Sequence, residues 1–206
     1  QVIVTDQNRK KSLESLIYSN KIKVVENFPF YKDTITKKKT AKAVNLFFYG
    51  LLQNSRGWDV VRQFENDADF KVYIAGRNKI GFATDDLAEN FIFLDLMTQE
   101  EVLSFMDSTI HWIFCLYEPV NENNINASPN KIYDAIHSNC GIIINSEVKV
   151  SAFVSSQNLG LVMKKYSDDI SIYKRFLIDN SNSFVHSSEY KMQFSFDQYE
   201  NYYKNL

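Results

Sequence analysis

The sequence predicts an α/β domain built on a doubly wound parallel sheet, and three observations lead to that class. From Val44 onward, short apolar runs typical of strands alternate regularly with segments of helical pattern. The connections between them are short, which favours parallel strands joined by right-handed crossovers. The runs are continuously apolar rather than alternating, as expected for strands that helices cover on both faces.

Individual strands and helices follow from these runs. Strands are predicted at Val44–Tyr49, Phe70–Ala75, Phe91–Leu94, Trp112–Leu116, Gly141–Ile144 and Leu161–Met163. Helices are predicted at Gly57–Glu65, Thr98–Met106, Pro129–Ser138, Glu147–Ser155 and Asp168–Ile178. Thr98 and Glu101 form a capping box at the second of these helices, and Ser195 and Gln198 form another before a tyrosine-rich final helix.

The first 40 residues have a different pattern. Val2–Thr5 and Ile22–Val25 are short β-branched runs, and each of them predicts a strand. The stretch from Asn27 to Lys42 is polar and rich in lysine, and we interpret it as a solvated linker in preference to a partner-binding patch. Residues 1–40 are therefore predicted to be the tail of an N-terminal domain plus a linker, and residues 41–206 to be a new domain.

An amphipathic helix is predicted between the two N-terminal runs. Its apolar positions are Leu13, Leu16 and Ile17, and Asp6 is its predicted N-cap. The helix and the two strands together form a strand–helix–strand unit. Because the chain starts directly with a strand-like run, we expect no signal peptide and a chain cut from a longer protein.

Composition excludes several classes of protein. The chain of 206 residues is 45% hydrophobic and 15% aromatic, which indicates a globular protein rather than a disordered one. Its formal net charge of −2 gives no field that would attract nucleic acid or an anionic membrane. No apolar run reaches the roughly 18 residues that a membrane span needs. Cys115 and Cys140 lie in apolar surroundings, which favours core thiols of a cytoplasmic protein over a disulfide.

The loop after the fourth sheet strand carries the strongest sign of a ligand. Ser128 suits the N-cap of the following helix, and Pro129 suits its first position. A helix start favours an anion, and a bound phosphate would compensate Lys131 in the first turn. Asp134 lies one turn further on, near the face of Asn130, and can accept hydrogen bonds from ribose hydroxyls. An ordinary capped helix with a surface Lys131–Asp134 pair explains the same residues equally well.

A second helix start carries a cation as well. The loop after the first sheet strand reads YGLLQNSRGWD, in which Gly50 permits close approach and Arg56 stands just before a helix start near Gly57. The guanidinium of such an arginine can grip two phosphate oxygens, although a solvated loop arginine explains it equally well when taken alone. Two cations at helix starts, both after strand carboxyl ends, together indicate a bound phosphate.

Other kinds of site are not indicated. The turn AGRNKIG matches neither the dinucleotide-binding pattern nor the P-loop pattern. His111, His137 and His186 are scattered, and no histidine–cysteine cluster has the spacing of a metal site. No G-x-S-x-G motif supports serine hydrolase chemistry. We therefore expect no metal and no catalytic histidine.

Several segments together carry a resemblance to a known family. They read FFYGLLQNSRGWDVV, FKVYIAGRN, ENFIFLDLMTQEEVLSFM, SPNKIYDAIHSNCGIII, and NLGLVM followed by SDD. Their order and spacing resemble the C-terminal, donor-binding domain of GT-B glycosyltransferases, in particular the retaining enzymes of family 4. The resemblance runs from about Val44 to the C-terminus, and VENFPF before it resembles the end of the family's acceptor domain. It implies a Rossmann-like domain that forms the C-terminal half of a GT-B architecture.

The resemblance assigns roles by position. It implies that Arg56 and Lys131 are the catalytic cations that contact the phosphates of a nucleotide sugar, together with the segment around Asn130. Asp134 stands at the place of the family's ribose-binding glutamate, and Asn126 at the place of a glutamate near the transferred sugar. The remaining donor contacts would come from Arg77, Leu96, Met97, Ser128 and Pro129.

The chain departs from the family pattern at three of these positions. Leu51 replaces the arginine that directly follows the first glycine, which removes one phosphate contact. Asn126 and Asp134 replace glutamates. A second hypothesis is therefore a catalytically inactive nucleotide-sugar-binding module of the same fold.

The resemblance implies a hexosyltransferase that uses a UDP-sugar or GDP-sugar and needs no metal or other cofactor. It would transfer the sugar with retention to a glycan or lipid-linked acceptor, in surface polysaccharide or glycolipid synthesis. The expected location is the cytoplasm, at the inner face of the membrane through the missing N-terminal domain. Without that domain, the 206 residues are expected to bind the donor with little or no transfer. An epimerase of the same architecture would need an acid–base pair that the sequence does not offer.

Overall fold

A computed structural model describes residues 2–5, 7–31 and 39–200 of the chain. Three predicted features lie wholly or partly outside these residues. They are the Asp6 cap, the lysine-rich part of the linker and the end of the tyrosine-rich C-terminal segment.

The N-terminal part forms a two-stranded sheet. β1 (Val2–Val4) and β2 (Ile22–Val24) pair in parallel, and α1 (Gln7–Leu13) lies between them in the chain, which confirms both predicted strands. The helix is shorter than predicted because the chain turns at Leu13, whose carbonyl oxygen accepts a 2.9 Å hydrogen bond from the backbone N–H of Leu16. Leu16 is 80% exposed, so the prediction that it continues the amphipathic helix is wrong.

Six parallel strands form the main sheet of the described residues. They are β3 (Val44–Leu52), β4 (Phe70–Asn78), β5 (Phe91–Phe93), β6 (Trp112–Phe114), β7 (Gly141–Asn145) and β8 (Gly160–Met163). Their order across the sheet is β5-β4-β3-β6-β7-β8, and every neighbouring pair is parallel. This confirms the predicted parallel sheet, with each strand within a few residues of its predicted position.

Helices connect and follow these strands. They are α2 (Trp58–Arg62), α3 (Gln99–Thr109), α4 (Glu122–Ile125), α5 (Lys131–His137), α6 (Ser151–Ser156), α7 (Ser171–Asp179) and α8 (Ser188–Met192). Thr98 and Glu101 make the predicted capping box at α3, with each side chain accepting from the other's backbone N–H. Within the described ranges, no helix has the length and apolar character that crossing a membrane requires.

The second predicted capping box is wrong. Ser195 accepts a hydrogen bond from the backbone N–H of Asp197, and the side chain of Gln198 donates instead to backbone carbonyls. The segment it begins is a 3₁₀ turn, Phe196–Tyr199. The tighter winding of a 3₁₀ turn brings the second residue, rather than the third, to the capping oxygen.

The predicted N-cap of α5 is also wrong. Asn130, with right-handed helical dihedral angles, occupies the N-cap position in place of Ser128, and its side chain makes no capping hydrogen bond. The chain first turns at Pro129, whose carbonyl oxygen accepts from the N–H of Ile132 at 3.3 Å. The helical turn therefore begins after Ser128, which is why Ser128 does not occupy the N-cap position.

Helices cover both faces of the sheet, as predicted for a doubly wound fold. Along β3, Phe47 and Tyr49 belong to one buried cluster, with α3, α5 and α6. Leu46 and Phe48 belong to the other, with α2 and α7. The strand therefore contributes alternate side chains to two separate cores, which is why its sequence is apolar at most positions.

The strand order reverses direction next to β3. The chain moves from β3 to β4 and β5 on one side, and then returns to place β6 on the other side. In sheets of this kind, a crevice forms outside the carboxyl ends of the strands where the order reverses. The loops after β3 and β6 are therefore the positions where a ligand is expected.

Candidate functional site

A cleft of about 530 Å³ opens at this reversal point, beside the start of α5. Its walls come from the ends of β3 and β4, the loops after β5 and β6, and the first turn of α5. Most of the predicted donor-binding residues line it: Arg77, Leu96, Met97, Pro129, Asn130, Lys131 and Asp134.

Two glycines form part of the cleft wall. Gly50 and Gly76 are register partners at the ends of β3 and β4, and both have positive φ angles, of 94° and 132°. A Cβ atom on Gly76 would lie 2.0 Å from the carbonyl oxygen of Gly50, so only glycine fits there. Bare backbone at this place lets a ligand approach the strand ends closely.

Lys131 places its ammonium group over apolar and aromatic surroundings. Its Nζ donates to the carbonyl oxygen of Phe114 at 3.2 Å and lies 4.6 Å from the ring centre of Tyr49. Burial, and to a smaller extent the charge of Arg56, lowers the pKa of Lys131 to about 8. An ammonium group that has lost much of its hydration in this way gains from contact with a ligand anion.

Asp134 is buried beneath the cleft, with an exposed fraction of only 2%. Its Oδ2 accepts from the Tyr49 hydroxyl at 2.9 Å, and its Oδ1 accepts from Nε2 of Gln99 at 2.7 Å. Burial raises the pKa of the carboxyl to about 6, although both hydrogen bonds and the charge of Lys131 oppose the shift. Asp134 and Lys131 are therefore not the solvated surface pair that the sequence left open. Each carboxylate oxygen keeps a second lone pair for a ligand hydroxyl.

Arg56 lies next to the cleft on the loop after β3. It ends a 3₁₀ turn, Asn54–Arg56, and is followed by Gly57 in the left-handed conformation. Its guanidinium carbon lies 4.1 Å from the ring centre of Tyr117, which lines the cleft. Nε of Arg56 is buried and has no hydrogen-bond partner among the described residues. Arg56 is thus a stacked arginine with a free donor, not a solvated one, and a ligand oxygen could accept from it.

Arg56 and Lys131 both exert their charge on the buried thiol of Cys115, next to the cleft. Burial raises the pKa of the Cys115 thiol to about 12, while Lys131 and Arg56 both oppose that shift. In the part of the chain that the structure describes, neither cation has a carboxylate oxygen within 4 Å. Those same residues contain no group of three or more histidine, cysteine and acidic side chains placed to hold a metal ion. The two cations therefore give this region a positive charge that no ion pair within the described residues neutralises, which is typical of a phosphate-binding site.

Three predicted site residues do not line the cleft: Arg56, which lies next to it, and Asn126 and Ser128. Asn126 follows α4 and donates from Nδ2 to the backbone oxygen and to Oε2 of Glu122, both at 2.8 Å. Ser128 lies between α4 and the Pro129 turn. The sequence did not predict α4, so it did not predict that Asn126 would be engaged there. Contact of Asn126 and Ser128 with a donor stays a prediction.

Three polar residues that line the cleft were missed by the sequence analysis. Tyr49 directly precedes Gly50, Gln99 is the first residue of α3, and Tyr117 follows β6. All three lie after or near strand carboxyl ends, and that position was the available signal. Their partners lie far away in the chain, so local sequence could not identify the contacts that make them part of the site.

Comparison with known proteins identifies the fold. No family model matches the chain, and no curated protein matches it by sequence. Solved structures do match. Sucrose-phosphate synthase from Thermosynechococcus elongatus has a TM-score of 0.67 and 12% identity, over 100% of this chain and 58% of its own. HepE of Anabaena in complex with UDP-glucose has a TM-score of 0.63 and 11% identity, over 100% and 64%.

TarM, known from Staphylococcus aureus, is a third structural neighbour. Its TM-score is 0.65 at 13% identity, over 99% of this chain and 42% of TarM. The chain thus spans less than two thirds of each of these proteins. The neighbours are GT-B glycosyltransferases, and this chain has the Rossmann-like fold of a GT-B C-terminal domain, as the sequence resemblance predicted. Membership of the retaining family 4 stays a prediction.

Proposed function

We propose that this chain is the donor-binding half of a retaining glycosyltransferase. The full enzyme would transfer a hexose from a UDP-sugar or GDP-sugar to a glycan or lipid-linked acceptor, in surface polysaccharide or glycolipid synthesis. The observation that carries the proposal is the pair of cations, Arg56 and Lys131, at the strand reversal point without a carboxylate partner within 4 Å in the described chain. A nucleoside diphosphate has the charge and the oxygen acceptors that suit this pair.

The proposed chemistry is stabilisation of the leaving diphosphate. Negative charge builds up on the diphosphate as the bond to the sugar breaks, and fixed cations beside it lower the barrier. Arg56 is held against the Tyr117 ring and Lys131 by the carbonyl of Phe114, so both are in place before the charge develops. In the proposal, as the family resemblance implies, these side chains do what a metal ion does in other transferases.

The remaining lining residues support recognition of a nucleoside. Asp134 can accept from ribose hydroxyls through its free lone pairs. The exposed side chains of Arg77 and Leu96 line the same cleft together with Met97, and in the proposal the base stacks against them. Among the structural neighbours, HepE has been solved with UDP and with UDP-glucose, and a TarM variant with UDP. A shared fold with these proteins supports a nucleotide-sugar ligand in this chain.

Ligand-dependent thermal unfolding tests the proposal. UDP or GDP at 100 times its dissociation constant should stabilise the chain by about 2.7 kcal/mol. Arg56→Ala and Lys131→Ala should each weaken diphosphate binding by about 10- to 100-fold, because each removes a charge-assisted hydrogen bond. The same two substitutions should change the binding of uridine or guanosine little, because these nucleosides lack phosphate.

Matched controls exist outside the cleft. Arg175, paired with Asp179 on α7, and the exposed Lys165 can each be replaced by alanine, and diphosphate binding should not change. The proposal is wrong if neither nucleoside diphosphate stabilises the wild-type chain at millimolar concentration. In the full-length enzyme, Arg56→Ala or Lys131→Ala should slow transfer on the order of 100-fold.

A catalytically inactive module is the second candidate. Leu51 presents a 44% exposed apolar side chain in the cleft, and both oxygens of Asp134 already accept hydrogen bonds. A protein of this kind would bind the nucleotide sugar without breaking it. Turnover of UDP-sugars and GDP-sugars by the full-length protein, measured as release of free UDP or GDP, separates the two candidates.

A further inference from the structure

Hydrogen bonds from Tyr166 hold both ends of the turn that carries Arg56. The Tyr166 hydroxyl donates to the carbonyl oxygen of Asn54 at 2.8 Å and accepts from the backbone N–H of Gly57 at 3.1 Å. Tyr166 follows β8, so a strand at the sheet edge reaches across to the loop after the central strand β3. The two contacts lie on either side of Arg56, at Asn54 and at Gly57.

Two polar side chains hold Tyr166 in turn. The backbone N–H of Tyr166 donates to both carboxylate oxygens of Glu147, at 3.1 and 3.0 Å. Nδ2 of Asn145 donates to Oε2 of Glu147 at 2.9 Å. Asn145 is the last residue of β7 and is fully buried, so its position is set by the sheet itself.

Asn145 also holds the aromatic partner of Arg56. Its Oδ1 accepts from the backbone N–H of Tyr117, and its Nδ2 donates to the backbone oxygen of Tyr117, both at 3.0 Å. The Tyr117 ring then stacks on the guanidinium at 4.1 Å. These contacts close a circle through the loops after β3, β6, β7 and β8. We call Tyr117, Asn145, Glu147 and Tyr166 the loop network.

The arrangement serves a single cation. A free arginine side chain loses rotamer entropy when it binds an anion. The loop network fixes the backbone around Arg56 from one side and the plane of its guanidinium from the other. A site fixed in this way binds its ligand more tightly, because less ordering accompanies binding.

We propose that Asn145 and Tyr166 are positioning residues, which act through Arg56 on the diphosphate of the donor. This inference rests on the proposed function, since it takes the anion to be a nucleoside diphosphate. It adds a role for two residues that do not line the cleft. Neither residue is expected to touch the ligand.

Tyr166→Phe is the sharpest test because it removes one hydroxyl and keeps the ring. We expect the dissociation constant of UDP to rise about tenfold and that of uridine to stay unchanged. In an Arg56→Ala background, the same substitution should have no further effect on UDP binding, because the group it positions is gone. An equal loss of UDP affinity in both backgrounds would overturn the inference.

Tyr173→Phe is the matched control. The Tyr173 hydroxyl also bonds a loop after β8, donating to Asp168 at 2.7 Å and accepting from the N–H of Lys164 at 3.0 Å, but it lies outside the loop network. Its loss should leave UDP binding unchanged.

A second measurement needs no nucleotide and separates this inference from the proposed function. The Nε–H signal of Arg56, assigned by its loss in Arg56→Ala, reports on the fixed guanidinium through its hydrogen exchange rate. Tyr166→Phe should accelerate that exchange by about tenfold or more, and Tyr173→Phe should not. If the exchange rate is unchanged in Tyr166→Phe, the positioning role is wrong. If the exchange is faster in Tyr166→Phe but the wild-type chain does not bind UDP, only the assignment of the anion as a nucleoside diphosphate is wrong.

Discussion

Lys131→Met is expected to stabilise the unliganded protein while it removes most of the affinity for a nucleoside diphosphate. The lysine is half-buried above aromatic rings, and burial is the main cause that lowers its pKa to about 8. A basic group whose pKa is lowered in the folded state destabilises that state at neutral pH, because its protonated form is less favourable there than in the unfolded chain. Methionine has a similar shape without charge, and its thioether packs well against an aromatic ring such as Tyr49.

The size of the effect follows from the pKa. A fall from the ordinary value of 10.5 to about 8 corresponds to about 3 kcal/mol, at 1.36 kcal/mol for each pKa unit. Partial exposure of Lys131 reduces this figure, so we expect a gain of about 1 to 3 kcal/mol at pH 7. For a chain of this length, each kcal/mol raises the melting temperature by about 2 to 4 °C.

The sign of the pH dependence is a further check. The contribution of Lys131 to stability is present above pH 10.5 and is lost as the pH falls through about 8. The advantage of Lys131→Met over the wild type should therefore be largest below pH 8 and disappear towards pH 10. Urea unfolding of both proteins at pH 7, 8, 9 and 10 measures it, with the exposed Lys165→Met as the control. Destabilisation of Lys131→Met by more than 1 kcal/mol, with UDP binding intact, would refute the reasoning.

Two other predictions concern the same cleft. Asp134→Asn should gain stability relative to the wild type as the pH rises from 4 to 7. The pKa of the Asp134 carboxyl is raised to about 6 in the folded state, so the carboxyl contributes stability below pH 3.8, and this contribution is lost as the pH rises through 6. The gain should approach 3 kcal/mol in urea unfolding, and a constant difference between pH 4 and pH 7 would contradict it. Leu51→Arg, at an exposed position opposite Arg77 in the β3–β4 register, should strengthen UDP binding a few-fold without affecting uridine. Equal effects on UDP and uridine in calorimetric titration would argue against a phosphate at that place.

The main sheet was predictable because its signal is local. A strand such as β3 is buried on both faces, so its sequence is mostly apolar, and short connections then imply parallel neighbours. The capping box of α3 was predictable for the same reason, since Thr98 and Glu101 are only three residues apart. Two of the site residues, Arg56 and Lys131, were found because they stand at predicted helix starts that follow strands of the sheet.

Features that depend on distant parts of the chain could not be predicted. Ser128 has the ideal residue type for an N-cap, but the chain turns at Pro129, and Asn130 occupies the N-cap position instead. The two hydrogen bonds to Asp134 come from Tyr49 and Gln99, which are 85 and 35 residues away. Residue type identified Asp134 as a candidate, and tertiary packing alone determined that it would be buried and bonded.

Lys131→Met and Tyr166→Phe are expected to change folding stability in opposite directions. The contrast follows from whether the partners of each side chain belong to the fold or to the ligand. Lys131 is desolvated by the fold and gains from an anion, so its removal should favour folding and disfavour binding. Tyr166 is satisfied by the fold through two backbone contacts, so its truncation should disfavour both folding and binding. A residue that merely packs would weaken folding alone. The direction of the change in stability, measured together with the change in UDP affinity, therefore distinguishes Lys131, a desolvated cation that binds the anion, from Tyr166, a residue that positions Arg56. Unfolding and binding curves of the two variants give both quantities.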